Sequence, residues 1–249
     1  MGREVERLAL AGYRGARPIM GVDPFATGNE SITVYRSTDD IPDTGDIDCI
    51  IDFSHHSCVA PLLCFATANR IPTVVATTGH TEEEMAAIRA AASDIPVFFS
   101  ANMSLGVALL VELAKSAARA LPDAEIEIIE KHHNRKIDAP SGTALMIARA
   151  IKEVRRDAYE KLGRAGQAKR EFNEIGIHAV RMGNIVGEHE VIIGTQNQTI
   201  TLKHEAHNRA LFAEGALAAA AFIVDMAPGL YDMKSLVESN SSTPATLAN

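Results

Sequence analysis

The sequence is poor in cysteine, and its cysteines form no pair with a redox or metal-binding spacing. Cys49, Cys58 and Cys64 are the only three, their number is odd, and no Cys-x-x-Cys is present. Cys49 lies in an apolar run and the other two fall within a predicted helix. We therefore expect three buried, reduced thiols.

Long apolar runs and a basic charge balance are also missing. No run approaches the ~20 apolar residues of a membrane span, and no secretory segment opens the chain. Asp and Glu (32) outnumber Lys and Arg (24), giving a formal charge of −8. Nucleic acid is thus not an expected partner, although local basic clusters can still bind small anions. We expect a cytoplasmic protein that has no membrane association.

What is present suits a globular protein of two small domains. The chain has 249 residues, of which 47% are hydrophobic and 22% charged. Its first hundred residues alternate between helical and strand patterns, which predicts a parallel, doubly wound α/β sheet of the Rossmann-like type. Helices are predicted at about 2–11, 57–68 and from Thr81 onward, and strands at 48–53, 72–77 and 95–100, with an extended piece ending at Asp23.

The second half follows a different pattern. Helices are predicted at 105–120, 142–154 and 209–226, and a half-exposed strand at 124–130. Residues 157–174 are polar and charged, which predicts a mobile or weakly structured insertion. Residues 175–201 read as strands punctuated by glycine, more antiparallel than parallel. The tail after Glu238 is rich in Ser, Thr and Asn and is expected to be frayed.

The beginning of the chain is unusual for a doubly wound domain, which starts with a strand and a glycine turn. This chain begins Met-Gly-Arg directly at a helix start. Two interpretations are open: a domain with a different first element, or an N-terminal truncation in which Gly2 is the last glycine of a glycine-rich turn.

One short segment, EKHHNRKIDAPSGTAL from Glu130 to Leu145, concentrates groups that carry chemistry. His132 and His133 can exchange protons near neutral pH, and Lys136 adds a fixed cation. The following helix start supplies backbone N–H groups, with Gly142 permitting close approach and the hydroxyls of Ser141 and Thr143 nearby. A small di-acid that gains a proton would use all of these groups.

Competing interpretations concern several of these residues. Ser141 could be a nucleophile, but it has no Gly-x-Ser-x-Gly context. A zinc site from His132 and His133 is disfavoured because neighbours on a strand point to opposite faces. His55 and His56 suit loop positions. Asp23 suits a ribose ligand if the sheet binds a dinucleotide, and is otherwise a turn residue.

The motif Glu130-x-His132-His133-x-x-Lys136-x-Asp138-Ala-Pro-Ser-Gly-Thr-Ala144 resembles the signature of the 4-hydroxy-tetrahydrodipicolinate reductase family. Further stretches match in order along nearly the whole chain: Asp48-x-x-Ile-Asp-Phe-Ser54, Ala76-Thr-Thr-Gly79, Ser100-Ala-Asn-Met-Ser104, Arg181-x-Gly-x-x-x-Gly-x-His189 and Arg209-x-x-Phe-Ala-x-Gly-Ala216.

The resemblance implies a domain organisation and an assembly. A dinucleotide-binding domain would span 1–103, lack its first strand and be completed by 212–238. An α+β domain over 104–211 would bind the substrate and form a homotetramer, and 239–249 would be a flexible tail. The family's glycine motif ends Gly-x-Met-Gly-Arg, so the start of this chain favours the truncation interpretation.

The resemblance also implies roles. His132 would be the proton donor and Lys136 the second donor, in a reduction of 4-hydroxy-tetrahydrodipicolinate with loss of water. The substrate, a cyclic dicarboxylate, would be bound by His133, Ser141, Gly142 and Thr143. NADH or NADPH would be bound by Gly2, Asp23, Ala76, Thr77, Thr78, Ser100, Ala101, Asn102 and Met103. No metal is implied.

The resemblance leaves two questions open, the choice of cofactor and the effect of the missing glycine-rich turn. Pro24 stands where members that accept a 2′-phosphate often carry arginine, which weakens a strict NADPH preference, although Arg36 could substitute. The missing glycine-rich turn leaves a cofactor-binding-deficient or non-catalytic dinucleotide-binding protein as an alternative. A hydrolase that uses Ser141 is a further one.

Overall fold

The computed structural model describes residues 1–27 and 31–242 of the chain. The chain divides into two compact units. The first contains Met1–Ser104 together with the segment that begins at Ala210, and the second contains Leu105–Arg209.

The elements follow one another along the chain in this order. The first unit begins with α1 (Gly2–Leu10), β1 (Met20–Val22), β2 (Thr33–Tyr35), β3 (Ile50–Asp52), α2 (Val59–Asn69), β4 (Thr73–Val75), α3 (Glu82–Ala91) and β5 (Pro96–Phe99). The second unit contains α4 (Leu105–Ala120), β6 (Glu125–His132), α5 (Gly142–Val154), β7 (Tyr159–Leu162), β8 (Glu174–Arg181), β9 (Gly187–Gly194) and β10 (Thr199–Ala206). The chain then returns to the first unit with α6 (Ala210–Ile223), β11 (Gly229–Tyr231) and α7 (Met233–Ser242).

The first unit is a parallel α/β domain with helices on both faces of its sheet. Four strands pair in the order β11-β5-β4-β3, and β1 and β2 form a separate parallel pair. On β5, Val97 packs in the cluster formed with α2 and α3, whereas the next residue, Phe98, contacts Phe222 of α6. This alternation confirms the predicted doubly wound, Rossmann-like class. Within the described residues no strand precedes α1.

Local sequence accounts for where these helices begin. Thr81 accepts a hydrogen bond from the backbone N–H of Glu84, and the Glu84 side chain accepts one from the N–H of Thr81. This reciprocal capping box satisfies two N–H groups that the helix would otherwise leave unpaired. The predicted start of α3 is confirmed.

The second unit places two helices against one face of a mixed sheet. Its strand order is β10-β9-β6-β8-β7, with β9 antiparallel to both β10 and β6, and β8 parallel to both β6 and β7. Alternate residues of β6, such as Ile126 and Ile128, are buried in one cluster with α4 and α5. The helices predicted at 105–120 and 142–154 match α4 and α5.

The strands from 175 onward are more antiparallel than parallel, as predicted. β9 and β10 pair only with antiparallel neighbours, whereas β8 pairs with parallel ones.

One prediction for the second unit is wrong. The segment 157–174 contains strand β7 and is tied down by arginines. Arg170 donates to the carbonyl oxygens of Ile126 (3.1 Å) and Glu174 (2.6 Å), and Arg164 lies 2.7 Å from the Glu174 carboxylate. Its charged residues therefore serve as fixed ion-pair partners.

Two further predictions need correction. Residues 239–242 belong to α7 and are not a frayed tail, and residues 243–249 lie outside the described part of the chain. All three cysteines are free thiols, but Cys58 and Cys64 are exposed instead of buried. Cys49 is half-buried, and burial raises the pKa of its thiol to about 12. None of the described helices is both long and apolar enough to cross a membrane.

Candidate active site

The candidate site of the second unit is built around one buried carboxylate, that of Glu130 on β6. This residue is 0% exposed. Its Oε2 atom lies 2.6 Å from Nδ1 of His132, and its Oε1 atom accepts a hydrogen bond of 3.0 Å from the backbone N–H of Ser141. His132, at the carboxyl end of β6, is thereby joined to the residue that caps α5.

Arg181 at the end of β8 completes this carboxylate's contacts. Its two terminal nitrogens donate to the two oxygens of Glu130 at 2.6 and 2.7 Å, and one of them also donates to the carbonyl oxygen of Asp138 at 2.7 Å. Burial alone would raise the pKa of Glu130, but the hydrogen bonds from His132, Arg181 and Ser141 outweigh it and hold this pKa at about 2. The carboxylate is therefore ionised throughout the neutral range.

Ser141, which the resemblance assigns to the substrate, is also part of the hydrogen-bonded structure that holds the site together. It is 2% exposed, and its hydroxyl oxygen accepts the N–H of Ala144 at 3.2 Å as the N-cap of α5. The same oxygen lies 2.9 Å from Nε2 of His189. A serine–histidine pair is thus present, but the hydroxyl is enclosed, and no acid within the described residues orients Nδ1 of His189. A hydrolase that uses Ser141 is therefore not supported.

His189 itself is buried on β9, where its ring meets that of His132 edge to face with centroids 5.2 Å apart. Burial, together with the nearby His132, lowers the pKa of His189 to about 4. His189 is therefore neutral at physiological pH, and it adds no positive charge beside His132.

The loop between β6 and α5 carries Lys136, the predicted second donor, and His133, a predicted substrate ligand. Lys136 Nζ lies 2.7 Å from Asp138 Oδ1, and its backbone N–H donates to the His133 carbonyl oxygen at 3.1 Å. The backbone N–H of His133 donates to the Ile185 carbonyl oxygen at 2.8 Å. Partial burial, followed by the charges of Arg135 and other cations, lowers the pKa of His133. The imidazole of His133 is thus held neutral within a positive environment.

Gly142 and Thr143 form the first turn of α5. Gly142 is exposed, and a β-carbon placed there would meet no described atom within 4 Å. The start of a 13-residue helix carries partial positive charge and N–H donors, which suits a carboxylate.

The predicted cofactor residues of the first unit lie mostly at the carboxyl ends of its parallel strands. Ala76, Thr77 and Thr78 follow β4, and Ser100–Met103 follow β5. A depression of about 330 Å³ is lined by Ala76, Thr77 and Thr78 together with Phe53, Ser54, His55 and His56, which follow β3. The carboxyl ends of strands in a doubly wound sheet are where such folds bind nucleotides. The residues present therefore fit a dinucleotide.

Hydrogen bonds hold this edge together. The hydroxyl of Thr77 donates to the buried carboxylate of Asp52 at 3.3 Å and lies 3.1 Å from Nε2 of His80. In the next turn, the Ser100 hydroxyl donates to the Asn102 carbonyl oxygen at 2.8 Å. Met103 is only 2% exposed, so its side chain packs behind this turn instead of lining the surface.

Gly2 and Asp23, like Ser100–Met103, are not among the residues that line that depression. Gly2 is exposed as the first residue of α1. Asp23 is exposed directly after β1, and its Oδ1 accepts the N–H of Phe25 at 2.9 Å.

Sequence reasoning gave no role to several residues that build these sites. Glu130, Arg181 and His189 appeared only as positions of matched motifs. One sequence signal did exist for Glu130: apolar residues alternate along β6, and Glu130 stands at a position where this pattern predicts a buried residue. Phe53 and Ser54 likewise appeared only as positions of a matched motif, and His55 and His56 were taken as loop residues. The described residues contain no cluster of His, Cys, Asp or Glu arranged to hold a metal ion.

Comparisons with known proteins agree with this architecture. The family model described as dihydrodipicolinate reductase, N-terminus, matches residues 3–103, and the corresponding C-terminus model matches residues 106–237. The 4-hydroxy-tetrahydrodipicolinate reductase of Caldanaerobacter subterraneus subsp. tengcongensis is 46% identical over 240 residues, covering 96% of this chain and 94% of the relative. That of Clostridium tetani is 41% identical over 223 residues, covering 89% and 87%.

A solved structure shows the same fold. The dipicolinate-bound dihydrodipicolinate reductase from Paenisporosarcina sp. TG-14 superposes with a TM-score of 0.76 over 92% of this chain and 93% of its own, at 23% identity. The chain therefore belongs to the dihydrodipicolinate reductase family, and its activity is the NAD(P)H-dependent reduction of 4-hydroxy-tetrahydrodipicolinate to tetrahydrodipicolinate with loss of water.

Proposed function

We propose that His132 donates the proton of this reduction and that Lys136 stabilises the developing negative charge as a second donor. The observation that carries the proposal is the shared carboxylate: His132 and the N-terminus of α5 are both hydrogen-bonded to Glu130. A proton donor is thus fixed next to a helix start that favours anions.

The substrate is a ring with two carboxylates, and the same corner of the second unit offers groups of the right charge for both. The Gly142–Thr143 helix start suits one carboxylate. His133 lies among the charges of Arg135, Lys136 and Arg209, so this loop has an excess of positive charge for the other. The related Paenisporosarcina enzyme is bound to dipicolinate, a cyclic dicarboxylate, which supports this substrate class.

NADH or NADPH would be bound by the first unit. Ala76, Thr77 and Thr78, the Ser100–Asn102 turn, Gly2 and Asp23 would hold it, with Asp23 on the adenosine ribose. When bound, the nicotinamide supplies the hydride. The chain's own part is to orient the ring of the substrate, to exclude water from it and to deliver a proton from His132.

The substitution His132→Gln tests this assignment, because glutamine keeps a polar side chain of similar size but cannot release a proton. Oxidation of NADH and of NADPH is followed with freshly prepared 4-hydroxy-tetrahydrodipicolinate. We expect kcat to fall about 100-fold or more, with the KM for either cofactor unchanged. An unchanged kcat would refute the role of His132.

A homotetramer is proposed for the assembly. Helices α4 and α5 cover one face of the five-stranded sheet, whereas Ile129 and Ile192 on the other face are only half-buried in the single chain. Sedimentation or light scattering of the purified protein measures the oligomer directly. The cytoplasmic location stays a prediction.

A further inference from the structure

Glu130 is a charged residue on the buried face of strand β6. β6 otherwise buries aliphatic side chains on this face, such as Ile126 and Ile128. A fully buried carboxylate in that row carries a desolvation cost that only strong partners offset. Its partners are the imidazole of His132, the guanidinium of Arg181 and the N–H of Ser141, so the carboxylate connects the proton donor with the substrate-binding helix start.

The contact with His132 determines which ring nitrogen exchanges protons. An ionised carboxylate can only accept hydrogen bonds, and it lies 2.6 Å from Nδ1. The proton therefore stays on Nδ1, and the other nitrogen, Nε2, gains and loses the exchangeable one.

The surroundings of Nε2 are consistent with proton exchange at this nitrogen. A β-carbon added to Gly187 on β9 would lie 3.1 Å from Nε2, so the absence of a side chain at Gly187 leaves space beside this atom. His189, the nearest other imidazole, contacts the His132 ring edge to face and is occupied with the hydroxyl of Ser141. Nε2 is thus the nitrogen of His132 directed away from Glu130.

Arg181 binds the Glu130 carboxylate and leaves the hydrogen bond between Glu130 and His132 intact. Its guanidinium binds both carboxylate oxygens and also the carbonyl oxygen of Asp138, two residues beyond Lys136. This planar, two-pronged contact fixes the carboxylate's orientation, as a lysine could not. The charged or titratable groups of the second unit that interact with Glu130 or His132 are Arg181, His133 and His189.

We propose that Glu130 is a positioning residue for the reduction: it fixes the proton of His132 on Nδ1, stabilises the protonated imidazole and so makes Nε2 the atom that delivers the proton. In the step itself, the Nε2–H bond breaks as the proton moves to the substrate ring, and a neutral imidazole remains bonded to Glu130 through Nδ1–H. The inference rests on the proposed role of His132.

The substitution Glu130→Gln tests the inference, since glutamine can keep the shape of the side chain but loses its charge. A glutamine amide can donate to Nδ1, which would move the imidazole proton to Nε2 and leave no charge to stabilise the cation. We expect kcat to fall about 100-fold, the KM for NADH to stay unchanged, and the pH profile of kcat to change. Glu160→Gln is the matched control, because Glu160 in the same unit pairs with Lys152 (3.0 Å) outside this site; it should keep native kinetics.

A measurement on the unsubstituted protein does not depend on how the variant folds. Nitrogen NMR of protein labelled in histidine identifies the signal that disappears in His132→Gln and reports its tautomer. We expect the Nδ1–H form when the ring is neutral. An Nε2–H tautomer, or a folded Glu130→Gln variant with native kcat and pH profile, would overturn the role of Glu130. If His132→Gln itself retained full turnover, the proposed function would fail instead.

Discussion

Gly215 of α6 and the carbonyl oxygen of Met103 approach so closely that no side chain fits between them. A β-carbon added to Gly215 would lie 1.6 Å from this oxygen and 3.1 Å from the side chain of Met233. The helix thereby packs directly against the turn that follows β5. That turn contains the proposed cofactor residues Ser100–Asn102, so Gly215 places part of the nucleotide edge.

We predict that Gly215→Ala destabilises the protein, although alanine is the better helix former by about 1 kcal/mol. The clash is with backbone, which cannot rotate away, so we expect a loss of about 3 kcal/mol in the free energy of unfolding and weaker cofactor binding. Thermal unfolding followed by circular dichroism measures the first effect. Gly142→Ala, with no neighbour within 4 Å, is the control and should unfold at or slightly above the native temperature, because alanine favours the helix.

A second stability prediction concerns Arg155, which caps the C-terminal end of α4. Its guanidinium donates to the carbonyl oxygens of Ala118 (3.1 Å), Leu121 and Ala124 (2.6 Å). Arg155→Ala removes the donor that all three carbonyl oxygens share, although Leu121 keeps the N–H of Ala124, and we expect it to cost about 3 kcal/mol in chemical denaturation. Its exposed neighbour Arg156 is the control, with an expected effect of Arg156→Ala below about 0.5 kcal/mol. Equal effects of the two would contradict the capping role.

Elements with a strong periodic signal and a local cap were predictable from sequence. α4 and α5 match their predicted bounds because Ser141 and the apolar spacing mark them locally. The segment 157–174 was predicted wrongly because its polar composition resembles that of a loop. What orders it are partners distant in sequence: Ile126, whose carbonyl oxygen Arg170 binds, and the parallel strand β8.

The same limit applied to the site. His132, His133, Lys136 and the start of α5 belong to one segment, so their chemistry could be recognised from spacing alone. Arg181 and His189 reach that segment only through strand register, which pairs His132 with Arg181 and Glu130 with His189. No local pattern encodes that register. For Ser141, the sequence predicted a substrate ligand, and the structure adds that its hydroxyl caps α5.

Stability should depend on pH through His189. Burial lowers its pKa from 6.5 to about 4 in the folded protein, so between these values the unfolded chain binds more protons. The stabilisation is complete above the higher value and is lost as the pH falls through the lower one. We expect a decline of roughly 3 kcal/mol across this interval in urea unfolding.

The variant His189→Gln separates this effect from others. It should flatten the pH dependence in that interval, whereas His207→Gln, at an exposed histidine of the same unit, should leave the slope as it is. Glu130 acts in a different window: its pKa of about 2 lies below the usual 4.5, so its contribution is lost only at more acidic pH. A slope that persists in His189→Gln would show that another group is responsible.

Two adjacent strand ends in the first unit bear on the choice between NADH and NADPH. β1 and β2 are parallel, Val22 pairs with Tyr35, and the N–H of Asp23 donates to the Tyr35 carbonyl oxygen at 2.9 Å. The next residues on the two strands, Asp23 and Arg36, are both exposed and leave the sheet at the same edge. A carboxylate that binds the ribose would thus have a guanidinium beside it, although Pro24 follows Asp23.

We predict that Arg36→Ala raises the KM for NADPH about tenfold, equivalent to about 1.4 kcal/mol, and leaves the KM for NADH within experimental error. Only NADPH carries the 2′-phosphate that this guanidinium can pair. Steady-state kinetics with both cofactors at saturating substrate measure the effect, and Arg89→Ala on the exposed surface of α3 controls for the loss of one positive charge. Equal increases for the two cofactors would instead mean that Arg36 maintains the strand pair and takes no part in discrimination.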